Sequence, residues 1–311
     1  MKAIVLTEPG GVENLRLTDI NKPAIREGEV LIEVKAISIN PVDIKSRKGK
    51  GVYGRIKEES PLILGWDISG VVAESAAAEF KPGDEVFGMV NFPGHAKGYA
   101  EYVAAPAPQL AHKPASVSHA EAAAASLAAL TAYQGLVHKA KLQAGQQVLI
   151  HAAAGGVGHY AVQIAKHLGA AVTGTSSARN KDFVLALGAD AHIDYTTFNW
   201  EEATPVFDFV LDTIGGTNID NSLYVTKAGG TLISIPTGLN EAVVEKAKAR
   251  DVDGYFFMVS SNGEDMQVIA DWLSKGILKS HVSASYPFKE LFRAHEQVES
   301  GRTVGKVVVT L

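Results

Sequence analysis

The stretch "VLIHAAAGGVGHYAVQIAKHLGA", residues 148–170, constrains the fold more than any other part of the chain. A continuous apolar run ends at a glycine-rich turn, and an amphipathic segment follows at once. That order predicts a buried strand, a tight turn and a helix. Similar patterns continue along the chain. Strands are expected at 147–151, 171–175, 191–194, 207–211 and 229–235, and helices at 157–168, 180–187 and 218–226. Alternation of this kind implies a parallel sheet with right-handed crossovers, an α/β doubly wound architecture.

The first third reads differently. "EVLIEVKAISI" (29–39), "ISGVVAE" (68–74) and "YAEYVAA" (99–105) are strand patterns separated by turn signals such as Pro82-Gly83. Short strands at this spacing predict a compact, barrel-like β domain. An alanine-rich helix over 118–140 then opens the α/β block, with Ser118 and Glu121 placed as a capping box. A helix near 264–275 and a last strand, "GKVVVTL", close the chain, and the strand is expected to return to the first sheet.

The chain has 311 residues, which suits two domains, and its 46% hydrophobic content fills a real core. A net charge of −5 gives no basic face for nucleic acid. The absence of cysteine removes disulfides, thiol nucleophiles and cysteine-ligated metal sites. No run reaches the roughly 18 apolar residues that span a bilayer. The N-terminal apolar run is too short for a signal peptide and reads as a strand, so a cytoplasmic location is expected.

In a dinucleotide fingerprint, glycines give a tight turn, close approach of backbone to pyrophosphate, and close helix–strand packing. Here Ala153 takes the first place, Gly155 the second and Gly158 the third, with Ala154, Gly156 and Val157 filling the rest of the cradle. Alanine is tolerable in first place if its φ stays negative. The alternative is a βα turn whose glycines serve packing alone. Preceding strand, following helix and a further strand favour the cofactor.

An NAD site usually places an acid at the end of the second strand. That stretch reads "VTGTSSARNKDF": no acid, but Ser176, Ser177, Arg179 and Lys181. Hydroxyls with two cations suit a 2′-phosphate and point to NADPH, against the alternative of incidental charges at a solvated helix start. Tyr195 either covers the adenosine or is a surface aromatic.

In order along the chain stand "INPVDIKSRKG", "LGWDISGVV", "KPGDEVFG", "LTAYQGL", "AAAGGVGHYAVQIAK", "LGADAHIDY", "FDFVLDTIGG" and "GKVVVTL". This series resembles the medium-chain dehydrogenase/reductase superfamily and, within it, the zinc-independent quinone oxidoreductase branch. The resemblance implies a GroES-like β-rich catalytic domain from both chain ends (1–116 and 264–311) and a Rossmann-type NADP-binding domain between them (117–263). A cleft between the two would hold nicotinamide and substrate.

Zinc-dependent members place a cysteine where Asn40 stands, a histidine where Trp66 stands and a second cysteine near Leu127; no metal site is therefore expected. His151 reads as a satisfied core histidine. Without a Lewis acid, the expected reaction is hydride transfer from NADPH to a quinone or an α,β-unsaturated carbonyl, an enal or enone. A non-catalytic NADPH-binding redox sensor or structural protein is the competing class.

By the resemblance, Asn40 contacts nicotinamide ribose or substrate, or is simply a turn residue before Pro41. Asp43 and Asp67 are not expected to act as a carboxylate pair; Asp67 is expected to satisfy local backbone or an arginine. Tyr53, in a glycine-rich loop, stacks on a planar substrate, or serves as the proton donor, or is a surface tyrosine. Thr131 matches a nicotinamide contact or bonds back to its helix. Asp212 and Thr213 follow the fourth strand of the α/β block; Ser234 and Ile235 end the fifth and would line the carboxamide end. Phe257 and Met258 lie in a segment whose backbone contacts nicotinamide in the family, or they are core or dimer contacts. The loop 46–62 and the segment 236–262 are expected to shape the pocket. The family also implies a homodimer through the cofactor domains.

Overall fold

The computed structural model describes residues 1–236 and 238–311. The chain begins with β1 (Lys2–Leu6), β2 (Leu15–Asp19), β3 (Glu29–Ile39), α1 (Pro41–Arg47), α2 (Tyr53–Ile56), β4 (Asp67–Ser75), β5 (Glu85–Met89), β6 (Tyr102–Pro106), β7 (Ala111–His112) and α3 (His119–Tyr133). The α/β block follows as β8 (Gln147–Ile150), α4 (Gly158–His167), β9 (Ala171–Ser176), α5 (Lys181–Ala186), β10 (Ala191–Asp194), β11 (Phe207–Asp212), α6 (Asn218–Val225), β12 (Thr226–Ser234), α7 (Val243–Lys248) and β13 (Asp253–Phe256). The chain closes with α8 (Gly263–Ser274), β14 (Val282–Pro287), α9 (Leu291–Glu299) and β15 (Lys306–Thr310). No helix among the described residues is long and apolar enough to cross a membrane.

Two compact units result: residues 1–130 with 260–311, and residues 131–259. The division falls inside α3, after residue 130, and just before α8, after residue 259, whereas the boundaries expected from sequence are 116/117 and 263/264.

The first unit is built on a seven-stranded sheet of order β14-β15-β3-β4-β5-β7, with β6 also pairing β3. β3 is the organising strand because it is long enough to serve two partners along one edge. Its first half pairs β6 (Glu29↔Pro106 to Glu33↔Tyr102), and its second half pairs β15 (Ala36↔Thr310 to Ile39↔Val307). The terminal strand thus returns to the first sheet, as its sequence implies. Ser118 and Glu121 do cap α3: the Glu121 amide donates to Ser118 Oγ at 3.2 Å, and the Ser118 amide to Glu121 Oε2 at 2.9 Å. The alanine run is small for a reason. Ala123 and Ala124 pack fully buried against Ala36 and Val308, where larger side chains would push helix from sheet. α3 ends in a π-helical turn over Gln134–Lys139 rather than continuing as α-helix to 140.

The second unit is a six-stranded, all-parallel sheet of order β10-β9-β8-β11-β12-β13. The strand order reverses between β8 and β11, the position at which doubly wound sheets bind ligands beyond their carboxyl ends. Leu149, Val210 and Leu232 carry the core on the face covered by α6 and α7.

Candidate functional site

The carboxyl ends of β8, β9, β11 and β12 collect most of the residues singled out in the sequence. After β8, Ala152 takes a left-handed φ of 47°, while Ala153 is not among the residues with positive φ. The substitution of alanine for the first glycine is therefore accommodated. Gly155 and Gly158 do not need positive φ either; space is what they supply. A Cβ on Gly158 would sit 2.2 Å from the Ala152 carbonyl oxygen, and one on Gly155 3.1 Å from it. The turn folds onto the first residues of α4, where the His159 amide donates to the Gly155 carbonyl at 3.1 Å, and the positive end of the helix dipole favours an anion. Gly174 in β9 closes the other side: its Cβ would meet the Ala153 Cβ at 2.7 Å.

Three residues stitch this edge together. Asp212 is fully buried, and its carboxylate accepts from the Ile214 amide (2.9 Å), the Gly215 amide (3.0 Å), Asn218 Nδ2 (2.9 Å) and Ser234 Oγ (2.9 Å). Thr213 Oγ1 donates to the His151 carbonyl at 2.9 Å. The side chains of Asp212, Thr213 and Ser234 are thus committed to holding β8, β11 and β12 in place, and the Ile235 amide adds a bond to the Asp212 carbonyl at 3.0 Å. His151 is not fully satisfied. Nδ1 lies 3.2 Å from Thr175 Oγ1, but its buried Nε2 has no partner, and burial pushes the imidazole down to about 4, so it is neutral.

At the end of β9, Ser176 is buried and Ser177 half-buried, while Arg179 and Lys181 are exposed. Sequence reading missed two neighbours from β10. Asp194 is the register partner of Ser176, and His192 Nε2 lies 2.8 Å from Ser176 Oγ. The acid absent from the end of β9 is therefore present one strand away. It is engaged there by the Thr196 amide (3.0 Å) and hydroxyl (2.7 Å), which hold its carboxyl below the usual range. The cluster of two hydroxyls, two exposed cations and an imidazole fits the 2′-phosphate of NADPH. The turn between β8 and α4 fits its pyrophosphate. Tyr195 follows β10 and is exposed.

Phe257 is buried, with a Cβ on Gly135 falling 3.9 Å from its ring; Met258 is exposed just past β13. Ala154 and Thr131 are buried. Thr237, within the segment 236–262, lies outside the described residues.

In the first unit, strand register builds a second polar centre. β15 begins beside the end of β3, and Asp67 pairs with Ser38 at the start of β4. Lys306, Asn40 and Asp67 meet there, all at most 3% exposed. Lys306 Nζ donates to Asn40 Oδ1 (2.5 Å) and to the Ile39 carbonyl (3.1 Å). Asn40 Nδ2 donates to Asp67 Oδ2 at 2.8 Å, and the Leu127 amide donates to Asp67 Oδ1 at 2.8 Å. Asn40 also caps α1, since its backbone amide donates to Asp43 Oδ2 at 2.6 Å. Both ends of the Asn40 side chain are thus held by protein. Asp67, expected to satisfy local backbone or an arginine, instead accepts from the Leu127 amide, 60 residues away, and from Asn40, with Lys306 of the last strand as its cation. Burial pushes Asp43 up to about 7 and Asp67 to about 6, and lowers Lys306. Tyr53 opens α2 and is half-buried, so the loop expected around it contains a short helix.

The donor set of a catalytic zinc does not fit here. Asn40 is occupied by Lys306 and Asp67, and Trp66 is buried with Nε1 donating to the Gly94 carbonyl at 2.7 Å. Among the described residues no group of three His, Cys, Asp or Glu could hold a metal ion.

Comparison with known proteins agrees with this architecture. Residues 26–115 match the family described as "Alcohol dehydrogenase GroES-like domain", and residues 187–309 the family described as "Zinc-binding dehydrogenase". The chain is 36% identical to the "2-methylene-furan-3-one reductase" of Solanum lycopersicum, over 99% of this chain and 79% of the relative. It is equally 36% identical, with the same coverage, to the "NADPH-dependent alkenal/one oxidoreductase, chloroplastic" of Arabidopsis thaliana. The solved structure of the quinone oxidoreductase from Coxiella burnetii superposes with a TM-score of 0.94 at 37% identity, covering 100% of this chain and 99% of that one. The chain belongs to the medium-chain dehydrogenase/reductase superfamily, in its quinone oxidoreductase branch.

Proposed function

We propose that this protein is an NADPH-dependent oxidoreductase that delivers a hydride to quinones or to α,β-unsaturated carbonyls, without zinc. The observation that carries the reading is the pairing of a glycine-closed turn after β8 with a cationic end of β9. When bound, NADPH supplies the hydride. The chain's own part is positioning. Gly155 leaves room for the pyrophosphate, Gly158 lets α4 pack against the turn, and the N-terminal end of α4 favours the anion. Ser176, Ser177, Arg179 and Lys181 hold the 2′-phosphate by charge-assisted bonds. Ala154, Gly156 and Val157 line the cradle; Tyr195 borders the adenosine; Thr131, Asp212, Thr213, Ser234, Ile235, Phe257 and Met258 border the nicotinamide, the first strand-end side chains through the backbone they fix. Asn40 shapes the substrate side and Tyr53 stacks on a planar acceptor. The names of relatives, a furanone reductase, an alkenal/one oxidoreductase and a quinone oxidoreductase, support acceptors of this electron-poor class.

Equilibrium titration of NADPH and NADH against wild type and the Arg179→Ala/Lys181→Ala variant tests the cofactor. Loss of two charge-assisted contacts should weaken NADPH by about 10- to 100-fold and NADH little. Equal loss for both cofactors would show that the cations are incidental. The edge position of β13, with Phe256 60% exposed and Met258 40% exposed, supports pairing of two copies through this unit, which measurement of mass in solution checks.

A further inference from the structure

We propose that His192 is a specificity-determining residue of the 2′-phosphate subsite, favouring the phosphorylated dinucleotide more strongly when it takes up a proton. The proposal rests on the NADPH reading of that subsite and goes beyond it by making the preference pH-dependent.

The geometry begins with Ser176. Its hydroxyl has one hydrogen, and the Ser177 carbonyl accepts it at 3.2 Å. Ser176 Oγ also lies 2.8 Å from His192 Nε2, where the neutral imidazole either donates or accepts according to its tautomer. Once the ring takes up a second proton, Nε2 donates to Ser176 Oγ and leaves the hydroxyl hydrogen for another acceptor. The imidazole is half-buried and joined directly to a residue of the phosphate subsite.

The charges facing His192 are Asp194 on its own strand and Lys181 on α5; β9 contributes only the uncharged Ser176. Partial burial and Lys181 hold the imidazole below its usual range, and Asp194 opposes them. Asp194 stays anionic because Thr196 stabilises its charged form, so it contributes a constant field rather than a second titration near neutrality. In the free protein His192 is therefore mostly neutral at neutral pH. A phosphate dianion beside Ser176 would favour the imidazolium. By linkage, whatever raises proton affinity when NADPH binds must raise NADPH affinity when the proton binds.

The sign separates this effect from titration of the ligand. A phosphate monoester takes its own second proton near pH 6, which removes charge and weakens a cationic site as pH falls. Protonation of His192 does the reverse. Dissociation constants for NADPH and NADH should be measured from about pH 8 to pH 6.5, in wild type and in His192→Gln, which keeps a hydrogen-bonding side chain and does not titrate. In wild type the preference for NADPH should rise by about fivefold or more across that range. In H192Q it should stay flat or fall. Calorimetry of wild type in buffers of different ionisation heat should show net proton uptake on binding NADPH and none on binding NADH. That measurement decides the matter even if H192Q fails to fold.

A preference for NADPH with the same pH profile in both proteins, or no proton uptake, overturns the role of His192 and leaves the NADPH reading standing. Equal affinity for NADPH and NADH at every pH overturns the NADPH reading and this inference with it.

Discussion

Lys306 Nζ lies 2.5 Å from Asn40 Oδ1, joining the first residue of the last strand to the cap of the first α-helix across 266 residues of sequence. The contact is buried, and its counter-ions Asp67 and Asp43 are buried with it. The Asn40 amide is an element of a closed polar network and orients β3, β4 and β15 against one another.

Removing the lysine should therefore cost far more than removing a surface charge. Lys306→Met leaves two buried carboxylates without their cation, and an expected loss of about 3–5 kcal/mol follows. Adding Asp67→Asn removes one uncompensated charge and should recover part of it, a coupling of about 1–3 kcal/mol. Urea unfolding of the single and double variants measures both. A single variant as stable as wild type would show that Lys306 does not neutralise the cluster.

Asp43 gives the cluster a pH signature. Its folded-state value, near 7, lies above the ordinary value of 3.8 because burial disfavours the carboxylate. The folded protein then holds more protons than the unfolded chain between those values, so this group's stabilisation is present at low pH and lost as pH rises through about 7. Asp43→Asn keeps an acceptor for the Asn40 amide and does not titrate. It should gain stability relative to wild type as pH rises from about 4 to about 7, with coupling to Asp67 spreading the transition. Melting curves that run parallel across this range would contradict the assignment.

The two turn glycines should separate folding from binding. In Gly158→Ala the new Cβ meets the Ala152 carbonyl oxygen at 2.2 Å, so the turn must move, with an expected loss of about 1–3 kcal/mol in stability. In Gly155→Ala the same oxygen is 3.1 Å away and a small shift suffices. That variant should fold nearly as wild type does yet bind NADPH at least about tenfold more weakly, since on the proposed reading its methyl would occupy the phosphate approach. Unchanged NADPH affinity in Gly155→Ala would place the pyrophosphate elsewhere.

Much of the scaffold was legible because local signals agreed with tertiary structure. β3 occupies 29–39 and β10 occupies 191–194 as the residue pattern implies, and the Ser118 capping box starts α3. β13 was missed because "DGYF" is too short to show a period, and it is a strand only through pairing with β12. The polar centre was illegible for a different reason. Lys306 stands at the head of an apolar strand, and nothing local says that its ammonium is buried. That follows from β15 pairing beside the end of β3. One signal was available and overlooked: Asn40 and Asp43 have the spacing of a capping box. Likewise, no acid ends β9 in sequence, but the parallel register brings Asp194 and His192 of β10 beside Ser176.

The central claim is hydride delivery from NADPH to an electron-poor acceptor, and consumption of NADPH by the wild-type protein tests it most directly. Initial rates should be followed with a benzoquinone and then with a 2-alkenal, with NADH run in parallel. Turnover with at least one acceptor, faster with NADPH than with NADH at equal subsaturating concentration, is the predicted result. Inertness toward both acceptors while NADPH binding stays intact would contradict it.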